Sequence, residues 1–393
     1  MRAWAVLVAL SASTFFYVTL ETLPIGLLPE IAENLGTTTS AVGLLVTAYG
    51  LMVVAATIPL TRLTTGWRRG RLLVALLLVS TVATVLSAFA PAYPALLAAR
   101  VVTALSQALF WAVVTPAAAA MFRPAMRGRA ISILYGGSST GPLLGVPAGT
   151  WLGQQFGWQA PFLALAALGL AISAVLVTLM PDIAPGSSDA ERGWAPDARR
   201  YRRLVIAVAV MVTGAFTAFT CISPFLTGAT GISVPAVGAV LLVRGVAGLA
   251  GVIVAGFLPA RHAGRTMAVL VGVQALALAV QFAGSGVPAI AITAVAVSGF
   301  VLSAMTAVLA VMVLEVAPGS TDMAAAGSST AFNVGITAGA LIGSQVLAGG
   351  GVRSSALLAA AITVVALLPA LQLKSGIGPR SEPERPLGIS HSS

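Results

Sequence analysis

Charge is scarce in this chain. Only 8% of its 393 residues are Asp, Glu, Lys or Arg, against roughly a quarter in an ordinary soluble domain, and that shortage excludes a soluble globular protein. A single cysteine, Cys221, excludes an intrachain disulfide, a cysteine-ligated zinc and an iron–sulfur cluster. The only histidines are His262 and His391, so no histidine metal site is expected. No Walker A sequence is present, which argues against ATP-driven work by this chain alone. Acids are absent from 34–181, which removes paired-carboxylate chemistry from the first half. No cofactor, metal or enzyme constellation is expected.

What is abundant is apolar: 58% of residues are hydrophobic. Twelve runs are long enough to cross a hydrocarbon core of roughly 30 Å at about 1.5 Å per helical residue. Their approximate limits are 4–28, 40–62, 72–90, 94–121, 130–152, 159–180, 204–226, 235–258, 267–284, 288–314, 324–347 and 354–373. Met1-Arg2 before an apolar run could open a signal peptide. The run continues to Leu28, too long for a signal core, and reads as a first span.

The net charge of +10 is explained by position. Arginines cluster in alternate connections: Arg62, Arg68, Arg69 and Arg71; Arg123, Arg127 and Arg129; Arg192, Arg199, Arg200, Arg202 and Arg203; Arg261 and Arg265. The connections near 29–39, 90–94, 153–158, 227–234 and 285–287 carry none. The positive-inside rule then places both termini and the central connection in the cytoplasm of a cell (inner) membrane protein. It also removes the reason to expect a nucleic-acid partner. The segment 181–203, rich in Pro, Gly, Ser and charge, divides 1–180 from 204–374, and the polar tail 375–393 reads as disordered.

The two halves repeat one another. GGSSTGPLLGVPAGTWLGQQ at 136–155 returns as AGSSTAFNVGITAGALIGSQ at 326–345. Gly145, Gly149 and Gly153 recur as Gly335, Gly339 and Gly343. The four-residue spacing lines one helix face, where missing side chains let helices approach closely in a membrane. Ala41-Val42-Gly43 likewise recurs as Ala236-Val237-Gly238, Tyr49-Gly50 aligns with Arg244-Gly245, and Cys221 takes the place of Glu21. Each half holds six spans and begins on the same side, the pattern of parallel repeats. The expected fold is all-α, two pseudo-symmetric six-helix bundles.

Three charges fall inside spans: Glu21, Arg100 and Arg244. Charge in a bilayer is costly and defaults to a functional reading. Glu21 is a candidate proton or cation site, or a structural ion-pair member. Arg100 is a candidate for proton coupling, substrate orientation or structural hydrogen bonding. Tyr17 lies one turn from Glu21, Gln107 and Trp111 share a face with Arg100, and Asn333 sits within the second glycine helix. With Cys221 and Arg244 these are candidates for a substrate cavity, although an aromatic or amide in a span is more often packing.

The stretches FYVTLETLPIGLLPEIAENLG, AARVVTALSQALFWAVVTPAAAAMF and GPLLGVPAGTWLGQQFGWQAPF resemble the first, fourth and fifth spans of a major facilitator superfamily transporter. The resemblance is to the twelve-span drug:proton antiporter branch that includes arabinose-efflux-like permeases, and it extends over nearly the whole chain. It implies that Arg100 is the family's fourth-span arginine. It also implies that Gly141, Pro142, Gly145, Pro147, Gly149 and Gly153 form the antiporter motif. The family's loop after span 2 holds an Asp that helps an Arg to close the cytoplasmic side. Here LTRLTTGWRRGR and GFLPARHAGR have no such acid. Closure then falls to Arg62, Arg68, Arg69, Arg71, Arg127 and Arg129 working on other contacts, such as helix carbonyls. The resemblance implies a monomer that exports a small molecule, a drug or secondary metabolite, in exchange for protons by rocking of its halves. A sugar or metabolite exporter, a proton symporter and a non-transporting sensor are the alternatives.

Overall fold

No water reaches backbone N–H and C=O groups in a bilayer core, so long apolar segments satisfy themselves as helices. The computed structural model describes residues 2–181, 193–259, 262–348 and 352–373, and all regular structure among them is helical. In order the elements are α1 (Arg2–Gly26), α2 (Leu28–Asn34), α3 (Thr39–Leu63), α4 (Arg69–Ala88), α5 (Tyr93–Ala120), α6 (Pro124–Thr140), α7 (Val146–Phe156) and α8 (Gln159–Leu179). The second half continues with α9 (Ala198–Thr220), the single turn α10 (Ile222–Pro224), α11 (Val234–Phe257), α12 (Ala263–Ala283), α13 (Pro288–Val316), α14 (Thr321–Ala348) and α15 (Val352–Leu371).

Ten described helices are each long and apolar enough to cross a membrane. Two more bring the count into line with twelve. One is α3, apolar over Thr47–Leu63. The other is the α6–α7 pair, interrupted by a wide turn at Gly141–Gly145 in which the Val146 N–H reaches the Gly141 carbonyl five residues back. A widened turn relieves the ladder where Pro142 and Pro147 supply no N–H. A second wide turn, Phe225–Ala229, follows Pro224. Hydroxyls inside the spans bond their own helices: Thr57, Thr81, Thr84, Ser87 and Thr363 each donate to the carbonyl four residues back, so they need no partner from lipid.

Two large cores form, one from Val6 to Leu176, joined by Ala326 of α14, and one from Leu204 to Leu373. The charged connection is shorter than 181–203: Asp197 caps α9 by accepting from the Arg199 and Arg200 N–H groups, each at 2.9 Å, so Arg199, Arg200, Arg202 and Arg203 are helical. Residues 182–192 and the tail 375–393 lie outside the described residues. Arg353 departs from the charge asymmetry. It opens α15 at the arginine-poor end, with Nε 3.4 Å from the Phe282 carbonyl and its guanidinium 5.2 Å from that ring.

The glycine stripes do not lie between the halves. A Cβ at Gly137, Gly145, Gly149 or Gly153 would meet Ser11, Thr19, Leu23 or Leu27, all of the first span and its extension. A Cβ at Gly335, Gly339 or Gly343 would meet α9 at Ala209 and Val212, Thr213 and Phe216, or Thr217 and Thr220. Each stripe therefore fastens two helices of one bundle. The register is corrected. Gly137, Gly141 and Gly145 meet Ser11, Val18 and Thr19, and Gly335, Gly339 and Gly343 meet Ala209, Phe216 and Thr217, each 198 residues further on, so the first three glycines are the structural counterparts of the second three.

Matched substitutions test the stripe. Gly145→Ala drives a methyl into the Thr19 side chain, whereas a Cβ at Gly136 meets nothing within 4 Å. Overpacking costs about 1–3 kcal/mol, so thermal unfolding of the purified protein should shift down for Gly145→Ala and stay at the wild-type value for Gly136→Ala.

Candidate functional site

Glu21 and Arg100 meet, as part of a network rather than as an ion pair. Residues seven apart on α5 share a face, and Arg100 and Gln107 both turn toward α1. Gln107 donates Nε2 to Glu21 Oε2 at 2.7 Å. Its own Oε1 accepts from the Tyr49 hydroxyl at 2.7 Å, which fixes the amide with its NH2 toward the carboxylate. The Arg100 guanidinium donates to the Leu20 carbonyl at 2.6 Å and the Glu21 carbonyl at 3.1 Å. It also lies 4.6 Å from the centre of the Tyr49 ring. The cation is 1% exposed and is held by carbonyls and a ring face, so the carboxylate is left to Gln107. Tyr49 was absent from the expected site. Its signal was the repeat itself, which aligns Tyr49 with Arg244.

The other candidates divide. Tyr17 is fully buried, bonded to Ser106 at 2.9 Å and Ser80 at 3.1 Å, so it serves the bundle core. Cys221 is fully buried, with Sγ 3.3 Å from the Gly343 carbonyl, and it too packs. Trp111 is half-buried against Tyr135 and Phe110. Asn333 is half-buried and donates to the Ser329 carbonyl of its own helix at 2.9 Å. Arg244 is half-buried, with its guanidinium 4.2 Å from the centre of the Phe219 ring.

The arginine-rich end is closed by contacts between the halves. Ala119 and Ile131 bury against Ala310 and Leu314. A Cβ at Gly256 would lie 2.7 Å from Ser132 Oγ, so α11 crosses α6 at close range there. Arg69 Nε meets Asp322 Oδ2 at 3.0 Å, and Arg69 Nη2 lies 3.4 Å from Thr321 Oγ1. Asp322 stands in the first turn of α14, where the helix dipole favours an anion. The expectation that closure dispenses with an acid is corrected: the acid comes from the opposite half. Arg129 lies 5.3 Å from the Phe257 ring and Arg127 lies 5.5 Å from the Trp194 ring. Arg62, Arg68 and Arg71 are exposed at the same end. Arg200 binds Glu315 at 2.8 Å inside the second bundle. Asp322 carried no sequence signal because it lies at a span end, where an acid reads as ordinary solvation.

The sequence profile of the Major Facilitator Superfamily matches residues 10–224 and again 204–390. The chain belongs to that superfamily. Its members are transporters, not enzymes. The crystal structure of the human organic anion transporter MFSD10 (TETRAN) is similar over 94% of this chain and 98% of that one, at 14% identity and a TM-score of 0.76. The transporter FucP in its outward conformation matches over 93% and 98%, at 14% identity and 0.73. The proton:xylose symporter XylE bound to 6-bromo-6-deoxy-D-glucose matches over 94% and 95%, at 12% and 0.70. These likenesses show the fold this superfamily member shares.

Proposed function

We propose that this transporter is a proton-coupled antiporter that exports a drug or secondary metabolite across the cell membrane. In this reading it is a monomer with bundles 1–180 and 204–374, its termini and arginine-rich end in the cytoplasm. The observation that carries the reading is the Glu21 carboxylate, set within a span on one amide donor, with a cation nearby that is engaged elsewhere. Glu21 is half-buried, and a carboxylate with so few donors is costly when ionised away from water, so proton uptake accompanies closure of the site. Glu21 releases the proton when the site opens and Arg100 favours the charged form. Protonation and substrate binding then alternate at one place as the halves rock.

The test is transport in proteoliposomes under an imposed pH gradient, with fluorescent cationic, neutral and anionic substrates. Exchange of substrate against protons, with the two fluxes opposed and abolished by a protonophore, is the expected result. Fluxes in the same direction would make the protein a symporter, and substrate movement indifferent to the gradient would remove protons from the cycle.

A further inference from the structure

Arg244 lies in the second bundle, whose repeat carries no acid at the place of Glu21. In the first bundle a cation from α5 covers a ring from α3. In the second, the repeat position of that ring is itself the cation, and it covers Phe219 of α9. Room for its stem is built in: a Cβ at Gly299 would lie 2.6 Å from Arg244 Cγ. Among the described residues no carboxylate pairs with it. The cavity at its side, lined also by Gln281 and Ser298, has space for a group about the size of a water.

Beside the cation lie two groups with a proton to give. Gln281 is 2% exposed and its Nε2 has no hydrogen-bond partner. Ser298 Oγ accepts from Gln274 Nε2 at 2.8 Å, which leaves its own proton for the cavity. A cation lying over a ring face keeps its in-plane N–H groups available for bidentate contact. One positive charge and two neutral donors, without an anion, match an acceptor-only group of charge minus one. Holding no more than a water, the cavity admits one carboxylate oxygen from its mouth, where half-buried Arg244 stands, and leaves the substrate's body outside.

We propose that Arg244, Gln281 and Ser298 form an anion subsite that binds the carboxylate of an amphiphilic organic acid, with Arg244 selecting acids over neutral analogues. This rests on the transporter reading above but not on proton coupling, so binding is measured without a pH gradient. The probes are matched pairs, 2-naphthoate with 2-naphthamide and 4-phenylbutyrate with 4-phenylbutyramide, read by thermal stabilisation of the purified full-length protein. At least one acid should bind wild type about tenfold or more tightly than its amide, the size expected of a charge-assisted contact. Arg244→Gln should erase that preference while keeping the amide affinity, and Gln281→Leu should reduce it. If no acid outdoes its amide on wild type, the subsite is excluded. The same follows if Arg244→Gln keeps the preference. Should Arg244→Gln fail to fold, wild type and Gln281→Leu decide: preference in the first and its reduction in the second support the subsite, and unchanged preference in Gln281→Leu overturns it.

Discussion

Replacing Glu21 by Gln is expected to abolish uphill transport while leaving a folded protein that still exchanges substrate downhill. The substitution conserves shape, and its amide oxygen can go on accepting from Gln107 Nε2, which now stands 2.7 Å from Glu21 Oε2. The contacts of Arg100 are to backbone carbonyls and survive. Only the ability to gain and lose a proton disappears. In one-for-one exchange a pH unit sustains about a tenfold substrate ratio, because a unit is worth about 1.36 kcal/mol. Wild type in proteoliposomes should approach that ratio for each unit imposed, and Glu21→Gln should fall to the passive distribution with its downhill exchange intact. Equal accumulation by the two proteins would remove Glu21 as the carrier and direct attention to Glu315, which is 7% exposed and paired with Arg200.

The membrane architecture was legible because its cause is local. A run of apolar residues has one way to satisfy its backbone in lipid, so the expected span at 94–121 is observed at Tyr93–Ala120 and that at 354–373 at Val352–Leu371. The site was legible in part. A charge in a span announces itself, and seven-residue spacing brought Gln107 to Glu21 beside Arg100. Tyr49 and Asp322 escaped because a tyrosine in a span and an acid at a span end are both unremarkable until their partners from distant helices are known. The glycine stripe misled on register for a related reason. Glycines every four residues match one another again after a slide of two turns, so Gly145 aligned with Gly335 when its counterpart is Gly343. The stripe's partner helix is likewise not written in it. Small residues permit close approach to any neighbour, and Thr19 rather than the opposite half fills the space at Gly145.

Asp322→Asn is expected to release the arginine-rich end. The Arg69–Asp322 contact joins α4 of one bundle to the start of α14 of the other, and the two side chains are 9% and 21% exposed. Because the pair bridges the two bundles, parting them at that end would break it, and a contact made in one conformation only is the condition for shifting an equilibrium. A charge-assisted contact is worth about 1.5–3 kcal/mol, which corresponds to about a tenfold to 150-fold shift toward the form open at that end. The favourable place of an anion at the start of α14 is lost in both conformations alike, so the shift comes from the broken contact with Arg69. The shift can be read by a cysteine placed at Asn333, half-buried in α14, in a Cys221→Ser background that removes the native thiol. An impermeant maleimide should label Asn333→Cys faster from the arginine-rich side in Asp322→Asn than in its parent, and more slowly from the other side. Arg69→Asp should act in the same way. Joining Arg69→Asp to Asp322→Arg restores opposite charges with the anion now in the first turn of α4, and should recover much of the parent's labelling asymmetry. Single variants that label like the parent would show that the buried contacts of Ala119, Ile131, Ala310 and Leu314 hold this end closed by themselves. A double variant no closer to the parent than either single would show that the two charges act separately.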